Sequence, residues 1–389
     1  MRHSVRWLFL LVAGLLVSAV PAAAPPKLSD NVPGANEKKP RLDVEDKLTE
    51  DDSKDEKKKE SFRKVHEVDL EAGTTYRIDM TSKSLDSYLR LLDPDGKEVA
   101  EDDDGGGGVN ARIVYKAKRT ATYKIVATTE SENPRAKQIG SYHLTVRDAE
   151  PRDIVLDRLK SVLMARPEAS VKERGAAIGA TIEMLSKEKT VTLQDASLAM
   201  QLAYMLDPLP KNDAVKLAGE LKTFLVRADD NRIKSAAGMF DGVIRRLKLP
   251  GKEMEITGTK LDGESFDWKT YRGKVVLVDF WATWCGPCRA EMPKLQKLRE
   301  KYGEAGFDIV GISADRNDDA PAAYMKKNGY EWTCIYEKNA RQQPMVDRYG
   351  IVAFPTTILV GRDGRVLELN PDRERLDQII GRHVEKKTP

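Results

Sequence analysis

Cysteine is scarce in this chain of 389 residues: there are three, Cys285, Cys288 and Cys334. So few exclude a disulfide-stapled secreted scaffold, which needs bridges along its whole length. Histidine is almost as rare, with His3, His66, His143 and His383 scattered, and no second CxxC accompanies the first. A structural zinc site needs about four ligands, and the chain does not gather them, so no metal is expected. Neither sign of charge dominates. The 65 basic and 62 acidic residues leave a formal net charge of +3, which gives no reason to expect a nucleic-acid or anionic-membrane partner.

Long apolar runs are also missing, with one exception at the start. In MRHSVRWLFLLVAGLLVSAVPAAA, residues 1–24, Arg2, His3 and Arg6 precede an apolar stretch from Trp7 to Val20 and then small residues, the composition of a secretory signal. A cut after Ala24 or after Ala22 fits the small-residue pattern. Left uncut, the run is close to the roughly 17 residues that just span a bilayer. Either way the positive end stays inside, so the rest of the chain is expected outside the cytoplasm, in the periplasm or cell envelope. Membrane attachment is expected only if the signal is retained.

The remainder divides by pattern into a multidomain chain. Residues 25–61 are rich in charge of both signs and poor in large apolar residues, and are expected to be a disordered charged linker. Residues 62–150 alternate apolar with polar positions between turn signals such as Asp95-Gly96, which predicts an antiparallel β-sandwich. Residues 151–249 carry apolar residues at helical spacing, punctuated by Pro167, Pro208, Pro210 and Pro250, with Asp153, Thr192 and Asn212 as N-cap candidates. Residues 250–389 alternate strand and helix patterns. The order AGTTYRIDM, LDSYLRLLDPDGKEVAEDDDGGGGVNARIVYKA, TATYKIVATT and GSYHLTV resembles the bacterial pre-peptidase C-terminal domain, a small secreted jelly-roll module.

The cysteine pair lies in FWATWCGPCRAEMP, Phe280 to Pro293. The nearly unbroken apolar run KVVLVDF predicts a buried strand leading straight into it, and RAEMPKLQKLREKYG has the amphipathic repeat of a helix interrupted by Pro293. The pair therefore falls at a helix N-terminus, where free N–H groups and the helix dipole stabilise a thiolate. Cys285 is expected to be the exposed cysteine at the cap, with Cys288 one turn along and able to attack a mixed disulfide formed on Cys285. A structural disulfide closing so short a loop adds little, so a redox couple is the favoured reading.

Together with the opening DGESFDWKTYRGKVVLVD, the following GFDIVGISAD and YGIVAFPTTILVGRDGRV, and a terminal helix, this stretch resembles the extracytoplasmic TlpA/ResA group of thioredoxin-fold thiol-disulfide oxidoreductases. The resemblance runs from about Leu249 to the C-terminus. It implies a thioredoxin-like α/β domain in which Cys285 is the nucleophile, Cys288 the resolving thiol, Pro355 a cis-proline facing the disulfide and Asp279 a buried carboxylate behind it. Glu291 matches an acidic residue that the group places just after its CxxC helix start. Trp284, Gly286, Pro287 and Phe354 are expected to meet substrate, and no cofactor is implied. Asp279 also stands out by itself, because a carboxylate within an apolar strand should have a raised pKa. Cys334 alternates with Trp332 and Tyr336 and reads as buried packing.

The Gly286-Pro287 dipeptide is that of thioredoxin, whose couple is reducing at roughly −270 mV. The resemblance then implies disulfide-containing exported proteins as acceptors, apocytochrome c among them, and a membrane electron donor. A different class of function is a secreted or envelope binding or scaffold protein whose β-sandwich is the main module, with Asp86, Asp93, Asp95, Asp102, Asp103 and Asp104 as calcium candidates set against plain acidic turns. Every candidate catalytic residue lies beyond Pro250, so the preceding segments are expected to serve placement alone.

Overall fold

The computed structural model describes residues 39–130, 139–164, 169–315, 319–336 and 344–385. The expected signal, residues 1–24, lies outside the described residues, as does the first part of the charged linker. Among the described residues no helix is long and apolar enough to cross a membrane. The chain divides into two compact units between Ser161 and Val162.

The first unit is built on β1 (Leu42–Leu48), β2 (Lys64–Leu70), β3 (Thr75–Thr81), β4 (Ser87–Leu92), β5 (Glu98–Asp102), β6 (Ala111–Lys116), β7 (Ala121–Thr129) and β8 (Gly140–Asp148). They form two four-stranded antiparallel sheets, ordered β1-β8-β3-β6 and β2-β7-β4-β5. Ile78, Met80, Leu144 and Val146 of the first sheet and Leu89, Leu91 and Ile125 of the second belong to one hydrophobic core. Period-two alternation explains this: every second side chain of each strand faces that core.

The linker expected up to Ser61 is corrected by β1, which pairs with β8 from Leu42–Val146 to Leu48–Gly140. In LDVEDKL, Leu42, Val44, Asp46 and Leu48 point to one side, and Lys64 neutralises Asp46 at 2.7 Å. The following charged residues are held as well. Asp55 is buried in an ion pair with Arg90, Lys58 Nζ donates to Glu130 at 2.6 Å, and Ser61 Oγ donates to the Thr129 carbonyl at 3.0 Å. Several charges that read as solvated are here held in ion pairs.

The acidic turns of this unit are likewise occupied. Lys160, on helix α1 (Pro151–Met164), pairs with Asp102 and lies 3.4 Å from Asp104, while Asp93 Oδ1 accepts the Asp95 and Lys97 N–H groups. Among the described residues no three His, Cys, Asp or Glu side chains converge as a metal site.

The second unit combines the helical segment with the C-terminal α/β domain. Its helices α2 (Val171–Lys187), α3 (Leu193–Met205), α4 (Lys211–Val226), α5 (Asn231–Ala237) and α6 (Met239–Leu247) precede a six-stranded mixed sheet. Capping boxes at Ser170/Glu173 and Thr192/Asp195 start α2 and α3. Two expected caps lie elsewhere. Pro210 rather than Asn212 precedes α4, and Asp153 sits inside the first turn of α1, where its carboxylate accepts from Arg77 at 2.9 Å.

The sheet order is β14-β13-β10-β11-β12-β9, with β9 (Thr259–Lys260), β10 (Val275–Trp281), β11 (Phe307–Ser313), β12 (Thr333–Tyr336), β13 (Thr356–Val360) and β14 (Val366–Leu369). β10 is central, parallel to β11 and antiparallel to β13, and all seven of its residues are buried. Helix α7 (Gly286–Tyr302) follows it, α8 (Asp319–Asn328) lies between β11 and β12, α9 (Pro344–Arg348) precedes β13, and α10 (Leu376–Glu385) closes the domain.

The helices are not a separate body. Arg246 of α6 and Asp207, both essentially without exposed side-chain surface, form an ion pair at 3.1 Å. Arg246 Nη1 donates to the carbonyls of Tyr349, at 2.9 Å, and Gly350. Asp207 Oδ2 accepts from Asn370 Nδ2 at 2.6 Å, and Asn370 Oδ1 accepts the Thr357 N–H at 2.9 Å. At Gly242 the two backbones touch, since a Cβ there would stand 2.3 Å from the Asp347 carbonyl oxygen and 2.4 Å from the Gly350 nitrogen. The segment expected to serve placement alone is thus part of the packing that holds β13.

Candidate active site

Cys285 is the N-cap residue of α7, with Gly286 and Pro287 in the first turn, where proline's missing N–H costs nothing. Its Sγ accepts the Cys288 N–H at 3.2 Å, and the two cysteines are joined as a disulfide. The expected exposure of Cys285 is corrected: in this oxidised form Cys285 is 0 % and Cys288 2 % exposed. Open space lies beside Gly286, where an added Cβ would meet nothing within 4 Å.

The loop ahead of Cys285 is tied down by a residue the sequence reading did not single out. Asp315, just beyond β11, accepts from Thr283 N at 2.9 Å, from Thr283 Oγ1 at 2.6 Å and from Ser313 Oγ at 2.9 Å. A Ser-x-Asp at the end of a strand is a local turn signature that could have marked it.

The segment before β13 meets the residue preceding Cys285 through an aromatic contact. The Phe354–Pro355 peptide is cis. Trp284 is 51 % exposed, and its ring meets that of the buried Phe354 edge-on at 5.6 Å between centroids. Trp284 and Phe354 are therefore in contact, and the Trp284 ring is left largely open to solvent. Phe280 and Trp281 are fully buried. Trp281 Nε1 lies 3.4 Å from Cys334 Sγ, and burial pushes the Cys334 thiol up to about 12, which suits packing.

Asp279 is the carboxylate in the central strand, paired in register with Gly311 and Thr357. It is 2 % exposed, and its Oδ1 has no hydrogen-bond partner among the described residues. Burial pushes its pKa up to about 8, the nearby Glu291 charge adds to the rise, and Arg373 opposes it. Glu291 lies one turn past Cys288 on α7. Its side chain is 10 % exposed and meets Arg373 Nη1 at 2.9 Å. Burial raises its pKa too, against the pull of Arg373 and Lys294.

Arg373 and Asn370 were not foreseen. Asn370-Pro371 could be read as a turn, but nothing local announces that Asn370 bridges Asp207 and Thr357 or that Arg373 reaches Glu291.

The Redoxin family profile matches residues 248–378. The thiol-disulfide oxidoreductase ResA of Bacillus thuringiensis (strain Al Hakam) is 34% identical over 131 residues, which are 34% of this chain and 73% of that protein. ResA of Oceanobacillus iheyensis is 30% identical over 132 residues, 34% of this chain and 67% of that protein. Among solved structures, the thioredoxin domain of a thiol-disulfide oxidoreductase from Bacteroides vulgatus is similar at 30% identity, with a TM-score of 0.33, covering 35% of this chain and 98% of that one. With a CxxC pair at a helix cap, a cis Phe354–Pro355 peptide and a matched stretch spanning nearly three quarters of the Bacillus protein, the chain belongs, through its C-terminal domain, to the ResA family of thiol-disulfide oxidoreductases.

Proposed function

We propose that the protein is an extracytoplasmic reductant of protein disulfides, and that Cys285 and Cys288 are its working couple. The observation that carries this is the cysteine pair on the first turn of α7 beside the cis Phe354–Pro355 peptide. In the reduced protein the Cys285 thiolate attacks one sulfur of a substrate disulfide. A bond forms between Cys285 and that sulfur, and the other substrate sulfur leaves as a thiolate. Cys288, having given up its proton, then attacks Cys285 Sγ, closes the Cys285–Cys288 bond and releases the second substrate thiolate. Two electrons pass from the dithiol to the substrate, and a membrane electron donor restores them.

Asp279 takes the Cys288 proton in this reading, because a carboxyl with a pKa about 8 is matched to a thiol near neutral pH. Glu291 shapes the charge around it. Trp284, Gly286, Pro287, Phe354 and Pro355 form the surface on which an extended chain lies. The acceptors are disulfide-bearing exported proteins, apocytochrome c among them, and the two sheets of the first unit, read as a pre-peptidase C-terminal-like sandwich, place the domain in the envelope.

Equilibration with glutathione of defined ratio tests the direction. A potential near the roughly −270 mV of thioredoxin is expected, and a value near −120 mV would make the protein a disulfide donor instead. In parallel, a Cys288→Ala variant should accumulate mixed disulfides through Cys285 with exported partners.

A further inference from the structure

Arg373 lies in the segment between β14 and α10, outside every motif of the sequence. Its guanidinium reaches in two directions at once. Nη1 lies 2.9 Å from Glu291 Oε2, and Nη2 donates to the Pro355 carbonyl at 3.0 Å. Glu291 rides on the helix that carries Cys288, and Pro355 follows Phe354, whose ring meets that of Trp284 next to Cys285. One planar group therefore ties the cysteine helix to the cis-proline segment, and a fork of fixed geometry sets their separation in a way that a flexible ammonium does not.

We propose that Arg373 is a positioning residue for thiol-disulfide exchange, holding the acid beside Cys288 and the carbonyl of the cis-proline segment in one fixed relation. The proposal rests on the functional reading above. It follows that substrate docking on the Pro355 segment and proton handling around Cys288 are linked through one side chain. The charged and titratable groups concerned are few. Asp279 on β10 feels Glu291 from α7 and Arg373 from the segment before α10, Cys334 on β12 senses Asp279, and Glu291 has Lys294 as its other cation. Removing the guanidinium leaves both acids with less positive charge, which moves both upward.

The test uses the full chain and two variants, Arg373→Gln and Arg373→Lys. Resolution of a preformed mixed disulfide is followed by rapid quench across pH, and KM and kcat are measured on a protein disulfide. For Arg373→Gln the acid limb of resolution should move up by about one pH unit, a factor of ~10 in rate on that limb, with KM raised several-fold. Arg373→Lys keeps the charge and loses the fork, so the acid limb should return while KM stays high. An unmoved acid limb together with an unchanged KM in Arg373→Gln overturns the proposal. If that variant does not fold, Arg373→Lys decides alone: a raised KM is expected and a KM equal to wild type overturns it. Failure of the redox reading itself looks different, since the wild-type protein would then show no resolution phase.

Discussion

Asp279→Asn should slow release of the mixed disulfide by about 10²-fold or more, the usual contribution of a positioned general base, and leave formation of the mixed disulfide nearly unchanged. Formation depends on the Cys285 thiolate, which the helix cap stabilises without help from Asp279. Release depends on deprotonating Cys288, which is buried within one turn of Glu291, whose charge reaches Asp279. Rapid-quench separation of the two steps measures the ratio. A variant that slows both steps equally would remove Asp279 from the proton path.

The same substitution carries a stability signature with a defined sign. The Asp279 pKa is raised from the ordinary 3.8 to about 8 in the folded chain. Between those values the native state holds a proton that the unfolded chain has released, so stability falls as pH rises through the window. Asparagine cannot ionise. The variant should therefore melt above the wild type at pH 8 and beyond, with the difference vanishing below about pH 4. A gain in stability paired with a loss of rate is what a strained catalytic group produces.

The second large effect lies in the helical segment. Asp207→Ala should destabilise the second unit by about 3–5 kcal/mol, the range seen when one partner of a buried ion pair is removed and the other charge is stranded. Arg246 would keep its two carbonyl acceptors but lose its counter-charge, and Asn370 would lose the carboxylate that orients it toward Thr357. Four of the five tryptophans, at 268, 281, 284 and 332, belong to this unit, so fluorescence-monitored urea unfolding reports on it directly. A loss below about 1 kcal/mol would show that the pair is not load-sharing with the β13 segment. A chain cut at Leu249 lacks Asp207 and Arg246 altogether and should inherit the same weakness.

Much of the site was legible because its signals are local. The apolar run of β10 flows into the cysteine pair and then into an amphipathic helix, so the helix cap follows from adjacent residues alone. Asp279 was legible as a charge set among Val, Leu and Phe. The fold of the first unit was legible through alternation, except at β1, where four of the seven residues are charged and only Leu48 is fully buried, and the pattern reads as a tether. Arg373, Asn370 and the Asp207–Arg246 pair were not legible, because each gains its meaning from partners distant in sequence. The Cys285–Cys288 pairing was legible from the CxxC motif, whereas the burial of Cys285 was not.

The central claim is that Cys285 at the cap of α7 is the attacking thiol of a redox pair. Alkylation of the reduced full-length protein across pH, with each cysteine resolved by mass spectrometry, tests it most directly. Cys285 should react with an apparent pKa well below the roughly 8.5 of a free thiol, Cys288 should titrate higher, and Cys334 should stay unreactive in the folded state. A Cys288 that titrates below Cys285, or a Cys285 no more reactive than a free thiol, would contradict the account.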